Sequence, residues 1–283
     1  MTRVASAEPK AERKPGALKE TFEIIKTVIY ALLIAVVIRT FLFQPYTIPS
    51  ASMEPNLYQG DYIIVSKWSY GSSRHSLIFS PPIFRGRIFF HPPKRGDIIV
   101  FKLPRDDKTD YIKRLIGLPG DRVQVKGGRF YVNGVEYPEK PIRVIATTDR
   151  GLPEQATVEQ ETNLSGQKYL IQVHGPNEEA DNTGVYVVPP HCYFMMGDNR
   201  DNSADSRFDP GLAPDDPKLG GCGWDSRLDA AVGYGTGVGF VPEENLEGKA
   251  QIVLLSWTDK ASLFKPWTWI TQLRPSRFFR LLH

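Results

Sequence analysis

The sequence predicts a mainly β protein that follows one apolar helix near the N-terminus. Three observations support this prediction: a long uncharged run, many short β-like runs, and an abundance of turn residues. The 283 residues include 24 glycines and 23 prolines, which suits a turn-rich β protein better than a helical bundle. Hydrophobic residues make up 41% of the chain and charged residues 24%, so the composition is that of a globular protein rather than a disordered one.

The apolar run follows a polar stretch of mixed charge, residues 1–20, which we expect to be a cytoplasmic tail. Residues 22–43 form a segment of 22 residues, enough to cross a hydrocarbon layer of about 30 Å. Lys26 and Arg39 can extend toward the two membrane surfaces. Basic residues before the span favour a cytoplasmic N-terminus. A buried core helix and a cleaved signal peptide remain as alternatives. We therefore predict a transmembrane helix at residues 21–43.

The remaining residues, 44–283, are predicted to form an extracytoplasmic β domain, since their short β-like runs are separated by turn residues. The runs cover residues 62–66, 97–102, 111–116, 122–126, 129–132, 186–188, 193–196 and 250–256. The pairs Gly127-Gly128 and Asn133-Gly134 indicate hairpin turns. Three segments rich in polar or turn residues are predicted to be inserted loops: residues 69–93, 142–182 and 208–234.

Several function classes lack support in the sequence. A net charge of +3 is too small to indicate nucleic-acid binding by itself. There is no Gly-x-Ser-x-Gly, His-Glu-x-x-His or phosphate-binding motif, so neither a metal nor a cofactor is expected. The five histidines lie in no context that suggests a catalytic triad, and we expect them at the surface: His75, His91, His174, His191 and His283.

The stretch IPSASMEP at residues 48–55 presents two serines between prolines. A serine nucleophile needs a nearby base, and without a suitable histidine that base has to be a neutral, buried lysine. Lys113 lies in the β-like run YIKRLI, where strand alternation places Lys113 and Arg114 on opposite faces. One of the two can then be buried while the other meets water. An ordinary edge-strand lysine is the alternative for Lys113.

Four blocks together give a resemblance to a known family. They read PSASMEP at residues 49–55, RGDIIVF at 95–101, DYIKRLIGLPGD at 110–121, and GDNRDNSADSR at 197–207, which resumes as GFVP at 239–242. In this order they make the chain similar to the bacterial type I signal peptidases, membrane-bound serine proteases of the S26 family. The resemblance spans residues 22 to about 257 and is interrupted by the three loop segments.

The resemblance implies a coiled antiparallel β-sheet and a role for each matching residue. Ser52 is the implied nucleophile and Lys113 the implied general base. Ser50, together with the Ser52 backbone N–H, is implied to form an oxyanion hole. Ser203 is implied to hydrogen-bond and orient the lysine amine. Asp205 and Arg207 are implied to support the site from behind.

The family cleaves signal peptides after small residues of the Ala-x-Ala kind, so the implied partners are signal peptides of preproteins and the phospholipid bilayer. The implied location is the bacterial inner membrane, with a single span and a periplasmic catalytic domain. Substrate binding by strand addition is expected. The family's shallow apolar pockets correspond here to Tyr46, Ile48, Met53, Ile63, Val100, Tyr111 and Ile112.

Two further features depart from the usual family pattern or extend it. The loop at residues 208–234 is longer than usual and contains Cys222, while Cys192 lies just before the fourth block. In an oxidising compartment we expect a disulfide between them that holds this loop near the active site. The aromatic and basic tail, residues 264–282, is expected either to touch the lipid surface or to pack onto the body.

Three competing functions make different predictions. A specialised relative that matures pilins or conjugation proteins would share the Ser–Lys pair but accept few substrates. A self-cleaving repressor would carry an N-terminal helix-turn-helix, where this chain has its apolar span. A non-enzymatic, membrane-anchored β domain would tolerate changes at Ser52 and Lys113.

Overall fold

The structure is a computed structural model that describes residues 17–77, 80, 81, 84, 86–149, 152–213, 215–223, 237–258, 261, 265 and 267–282. It divides between Arg39 and Thr40 into two units. Most of the predicted tail, residues 1–16, lies outside the described residues, and so does His283.

The N-terminal unit is built on helix α1, Ala17–Val37, which continues into a π-helical turn at Ile38–Leu42. The segment Lys19–Leu42 has a mean hydropathy of 2.2 over its most apolar window, none of which is buried. Its length and composition fit a single membrane span, although a signal sequence would meet the same criteria. The helical segment ends before Phe43, where the predicted span was to end, because Phe43 begins the first strand.

The second unit contains the main sheet, in which every strand pair is antiparallel. The strand order is β1-β2-β14-β3-β4-β12-β13, with β15 beside β14. Register shifts in β14, against both of its neighbours, bend and twist the sheet. The bounds are β1 Phe43–Thr47, β2 Asp61–Ser66, β3 Ile98–Lys102, β4 Asp110–Gly117, β12 Cys192–Met196, β13 Val241–Pro242, β14 Leu246–Ser256 and β15 Arg280–Leu281. The prediction of a mainly β fold is therefore confirmed.

Two smaller antiparallel sheets complete this unit. One has the order β11-β5-β6-β7, with β5 Arg122–Lys126, β6 Arg129–Val132, β7 Val135–Glu136 and β11 Tyr186–Val187. The other has the order β10-β9-β8, with β8 Glu139–Asp149, β9 Leu152–Thr162 and β10 Lys168–Val173. Residues 142–182 were predicted to be an irregular inserted loop, and that prediction is wrong, because strands occupy most of this segment. Polar residues dominate these strands because one face of the hairpin meets water, which hides the alternating pattern.

The other two predicted loops contain short helical turns and buried side chains. Residues 69–93 include parts of the 3-10 turns Lys67–Tyr70 and Arg74–Ser76. The described part of residues 208–234 contains the turn Pro217–Leu219, and residues 224–234 lie outside the described residues. A disulfide joins Cys192 to Cys222, whose Cα atoms are 5.7 Å apart, so this loop is attached to the start of β12. Near the C-terminus lies α2, a single turn at Thr268–Thr271.

An apolar cluster beneath the β1–β2 connection anchors the region that carries the two serines. Met53 and Leu57 are fully buried in this cluster, against Ile63 of β2 and Val100 of β3. Burial of side chains of this size stabilises a fold by about 1.5–3 kcal/mol each. The connection is therefore held to the sheet from below while Ser50 stays exposed.

Candidate active site

The serine loop, residues 48–60, connects β1 to β2. Backbone hydrogen bonds close it into tight turns, from Glu54 N–H to the Ala51 carbonyl at 3.0 Å and from Leu57 N–H to the Met53 carbonyl at 2.8 Å. Ser52 is half-buried, and the next residue, Met53, points into the apolar cluster. The loop thus presents the Ser52 hydroxyl at the surface of the sheet on a firmly packed turn.

Lys113, on β4, reaches this hydroxyl. Its Nζ lies 2.7 Å from Ser52 Oγ, and the residue is only 3% exposed. Burial lowers the pKa of Lys113 from 10.5 to about 8, although the Asp205 and Asp198 carboxylates oppose the lowering. A lysine with such a pKa has a substantial neutral fraction near neutral pH, and only the neutral amine can accept a proton.

Ser50 lies on the other side of the Ser52 hydroxyl, with 3.3 Å between the two Oγ atoms. Among the described residues, the Ser52 backbone N–H donates to no acceptor. A free backbone N–H and a neighbouring hydroxyl are the kinds of donor that stabilise an oxyanion. The structure therefore brings together the four groups that the family resemblance implies: two hydroxyls, one amide N–H and one buried amine.

Asp205 and Arg207 form a buried pair behind Lys113. Arg207 Nε donates to Asp205 Oδ1 at 2.9 Å, and Gly197 N–H donates to Asp205 Oδ2 at 3.0 Å. Burial opposes the charge on Asp205, but Arg207 outweighs it and holds the pKa of this carboxyl below its ordinary value. Asp205 is therefore a fixed negative charge close to the lysine.

Ser203 differs from the expectation. Its Oγ is buried and has no hydrogen-bond partner among the described residues, so the implied hydrogen bond to the Lys113 amine is not formed. The amine donates instead to Ser52. Ser203 and the Ser52 carbonyl both press against Gly197, where a Cβ would overlap them. Gly197 is thus the close-contact point between the serine loop and the fourth block.

Arg114 is buried like Lys113, which contradicts the expectation that one of these two neighbouring cations on β4 meets water. Arg114 is 1% exposed and binds Asp198 with two hydrogen bonds of 2.7 and 2.8 Å. Its guanidinium also stacks on the Tyr169 ring, 4.0 Å from the centroid. Both faces of β4 are buried, because β10 and the fourth block cover the face opposite the serine loop.

Two asparagines that hold the serine loop were not singled out from the sequence. Asn199 donates from its backbone N–H to the Ser52 carbonyl at 3.1 Å and from its side chain to the Ala51 carbonyl at 3.3 Å. Asn56 donates to Asp198 at 2.7 Å and to the Leu170 carbonyl at 2.6 Å. Asn199 lies within the fourth block and Asn56 directly follows the first, and this position was the only available signal.

The seven predicted pocket residues lie close to one another, but they are buried to different extents. Ile48, Met53, Ile63, Val100 and Ile112 belong to the cluster beneath the serine loop, with Tyr46 packed against it. Tyr111 packs against a second cluster. Met53 and Ile63 have no exposed surface, whereas Tyr46 and Tyr111 are half-buried. Tyr46 is fixed through its hydroxyl, which donates to Glu247 at 2.9 Å, beside the buried ion pair of Glu247 with Lys67.

The histidines were predicted to lie at the surface, and the structure confirms this for two of those it describes. His91 and His191 are exposed, but His75 and His174 are buried beside carboxylates. No described histidine hydrogen-bonds to Ser52 or Lys113. Among the described residues, no group of three or more His, Cys, Asp or Glu side chains has metal-binding geometry.

Comparison with known proteins gives consistent findings. The family described as "Signal peptidase, peptidase S26" matches residues 21–257. Signal peptidase I of Rickettsia typhi is 35% identical over 271 residues, covering 90% of this chain and 91% of the relative. Signal peptidase I of Rickettsia canadensis is 32% identical over 289 residues, covering 96% and 97%. A crystal structure of a signal peptidase I from Enterococcus faecalis V583 is 24% identical, covers 56% of this chain and 97% of its own, and has a TM-score of 0.27.

Proposed function

Since the chain belongs to the S26 signal peptidase family, and is therefore a serine endopeptidase that cleaves signal peptides, we propose its catalytic groups, its cleavage preference and its placement in the membrane. The observation that carries the catalytic proposal is the 2.7 Å contact between Ser52 Oγ and a buried lysine amine.

In the proposed acylation step, neutral Lys113 accepts the Ser52 hydroxyl proton while Oγ attacks the scissile carbonyl. The carbonyl oxygen becomes an oxyanion, which accepts hydrogen bonds from the Ser52 N–H and the Ser50 hydroxyl. Each such donor contributes about 3–4 kcal/mol to the transition state in comparable sites. The Lys113 ammonium then gives its proton to the leaving amine, and the C–N bond breaks to leave an acyl-enzyme.

In the proposed deacylation step, water gives a proton to Lys113 and attacks the ester carbonyl. The ester C–O bond then breaks, and Ser52 recovers its proton from the ammonium. Ser203 supports this cycle in our proposal: its buried, unpartnered hydroxyl can accept a hydrogen bond from the ammonium, which has three donors. Asp205, held by Arg207, is proposed to stabilise the ammonium when it forms.

The proposed substrate is an extended peptide with small residues at P1 and P3, of the Ala-x-Ala type. Strand β1 is at one end of the main sheet and leads directly into the serine loop, so a substrate strand can be added there. The apolar residues beneath the loop are already packed, which leaves room for small side chains only. We include all seven predicted pocket residues in this proposal, with Met53 and Ile63 acting as the buried floor.

Variants of the two proposed catalytic residues test this function on a preprotein. We expect Ser52→Ala and Lys113→Ala each to reduce kcat by about 10⁴-fold or more, as the loss of a nucleophile or its base does in other serine proteases. Ser165→Ala and Lys126→Ala change exposed residues and serve as matched controls. Cleavage at the wild-type rate by either active-site variant would refute the Ser–Lys assignment and favour a non-enzymatic role.

A panel of preproteins tests the substrate preference. We expect cleavage to survive exchanges among Ala, Gly and Ser at P1 and P3, and to fall by at least about tenfold when either carries Leu, because the buried floor cannot move aside without cost. Equal cleavage of the Leu peptides would contradict the pocket proposal. Cleavage of only one class of preprotein would favour the specialised maturation enzyme.

For the membrane, we propose a cytoplasmic tail at residues 1–20, a span at residues 21–43 and a periplasmic catalytic domain at residues 44–283. The apolar, unburied helix and the disulfide both support this arrangement. Protease added to spheroplasts should then digest the catalytic domain; complete protection of that domain would contradict the orientation.

The C-terminal tail combines the two predicted behaviours. Arg277 anchors it to the body through Asp61, with Nε 3.0 Å from Oδ1, while Trp267, Trp269 and Phe279 stay exposed. We propose that these aromatic side chains touch the lipid surface. Brominated lipids should quench the fluorescence of Trp267 and Trp269 in the full chain, as judged by Trp→Phe variants at each position; the absence of quenching would refute this contact.

A further inference from the structure

The Asn199 side chain lies between the serine loop and a buried histidine, His174, that follows β10. Asn199 Oδ1 is 3.2 Å from His174 Nε2, and His174 Nδ1 is 2.8 Å from the Glu154 carboxylate of β9. The histidine side chain is 4% exposed. A continuous set of contacts therefore runs from the β8–β9–β10 sheet through His174 and Asn199 to the carbonyls of Ala51 and Ser52.

The hydrogen-bond roles in this set determine which ring nitrogen of His174 carries a proton toward Asn199. The Asn199 amide nitrogen faces the Ala51 carbonyl, which only accepts, so the Asn199 oxygen faces His174 Nε2. Nε2 must therefore donate, while Nδ1 lies beside the Glu154 carboxylate.

A neighbouring amide, that of Gln172, does not alter this conclusion. Its Nε2 is placed 3.2 Å from His174 Nε2, while its Oε1 is buried without a partner. Within the described part of the chain no second side-chain contact fixes this amide, so it can turn and present its oxygen to the ring. Asn199 has no such freedom, because turning it would bring two acceptors together at Ala51.

Two carboxylates hold His174 in place. Glu154 of β9 lies 2.8 Å from Nδ1, and Asp201 of the fourth block accepts the His174 backbone N–H at 2.7 Å. The ring therefore has a fixed position beside Asn199.

We propose that His174 is a positioning residue whose Nε2–H fixes the Asn199 amide and, through it, the Ser52 backbone N–H. The Ala51 carbonyl and the Ser52 N–H belong to one peptide unit, so the hydrogen bond that holds the carbonyl also sets the direction of the N–H. That N–H is the proposed oxyanion donor. Loss of the histidine contact lets the peptide turn, which weakens transition-state binding more than substrate binding.

A pair of near-isosteric variants tests the role of the Nε2 donor, and the test rests on the proposed function. In His174→Gln the side-chain amide nitrogen takes the place of Nε2 and retains a donor for Asn199. In His174→Asn the amide nitrogen takes the place of Nδ1 and leaves Asn199 without a donor. We expect kcat of the Gln variant to stay within about threefold of wild type and that of the Asn variant to fall about 10- to 100-fold, with KM nearly unchanged. His91→Gln, at an exposed histidine, is the control.

Equal kcat values for the Gln and Asn variants would overturn the proposal, as would a loss that appears in KM alone. A measurement on the unmodified full chain is independent of variant folding: ¹⁵N chemical shifts of the His174 ring should show a protonated Nε2, and an unprotonated Nε2 would overturn the proposal. Activity of Ser52→Ala would instead refute the proposed function and leave the protonation result standing.

Discussion

Lys113 and Arg114 are adjacent on β4, both buried and on opposite faces, yet their surroundings shift their pKa values in opposite directions. Lys113 faces the Ser52 hydroxyl and makes no direct ion pair with any residue that the structure describes, and burial lowers its pKa to about 8. Around Arg114, burial also opposes the charge, but the two hydrogen bonds to Asp198 outweigh it and raise the pKa.

The difference shows that burial alone does not determine the charge state of a basic side chain. Desolvation disfavours both cations, and the presence or absence of a bidentate carboxylate decides the outcome. The Arg114 side of β4 stays charged and holds the fourth block to the sheet. The Lys113 side supplies an amine that can become neutral, which is what a general base requires.

The largest expected effect comes from removing the carboxylate that pairs with Arg114. Asp198→Asn removes the partner of a fully buried guanidinium, so we expect the free energy of unfolding to fall by about 3–5 kcal/mol in urea denaturation of the detergent-solubilised chain. The double variant Arg114→Met/Asp198→Leu should recover much of this loss, because it buries no charge. If the single variant were as stable as wild type, the pair could not be the anchor described here.

A substitution of Lys113 should change the free energy of unfolding in the opposite direction. Because its folded pKa is lowered from 10.5 to about 8, Lys113 contributes fully to stability above pH 10.5, and that contribution is lost as the pH falls through 8. Lys113→Met removes this dependence, so at pH 7 we expect it to raise the free energy of unfolding by about 3 kcal/mol, a gain that shrinks toward pH 10.5. If the free energy of unfolding had the same pH dependence in wild type and variant, the pKa of Lys113 would not be lowered in the folded state.

The smallest expected effect is kinetic and concerns proton occupancy at Lys113. Below its pKa of about 8, the neutral fraction falls about tenfold for each pH unit, and kcat/KM should fall with it. Initial rates on a preprotein peptide between pH 6 and 9 measure this limb. A flat profile over that range would mean that the amine is not the base, while Arg114 remains charged throughout and contributes no slope.

The local pattern of the sequence predicted the strands that carry the site and the apolar N-terminal helix. Lys113 on a strand and the two serines between prolines were visible as residue types in short blocks. The β8–β9 hairpin was missed because its polar, half-exposed strands do not show a clear apolar alternation. His174 was misplaced at the surface because nothing in its local sequence shows that Glu154 and Asn199 lie beside it.

The sequence by itself thus determined the chemistry that is present: two hydroxyls, a strand lysine, an apolar span and a pair of cysteines. Only the tertiary structure decided which cation has its pKa lowered and which has it raised, because desolvation and ion pairing depend on segments distant in the chain. Asp198 and Asp205 lie more than 80 residues from Lys113 along the chain, yet both oppose the lowering of its pKa by burial, and Asp198 also raises the pKa of Arg114. Asn199, which is even farther from Ser52 along the chain, fixes the peptide that presents the hydroxyl.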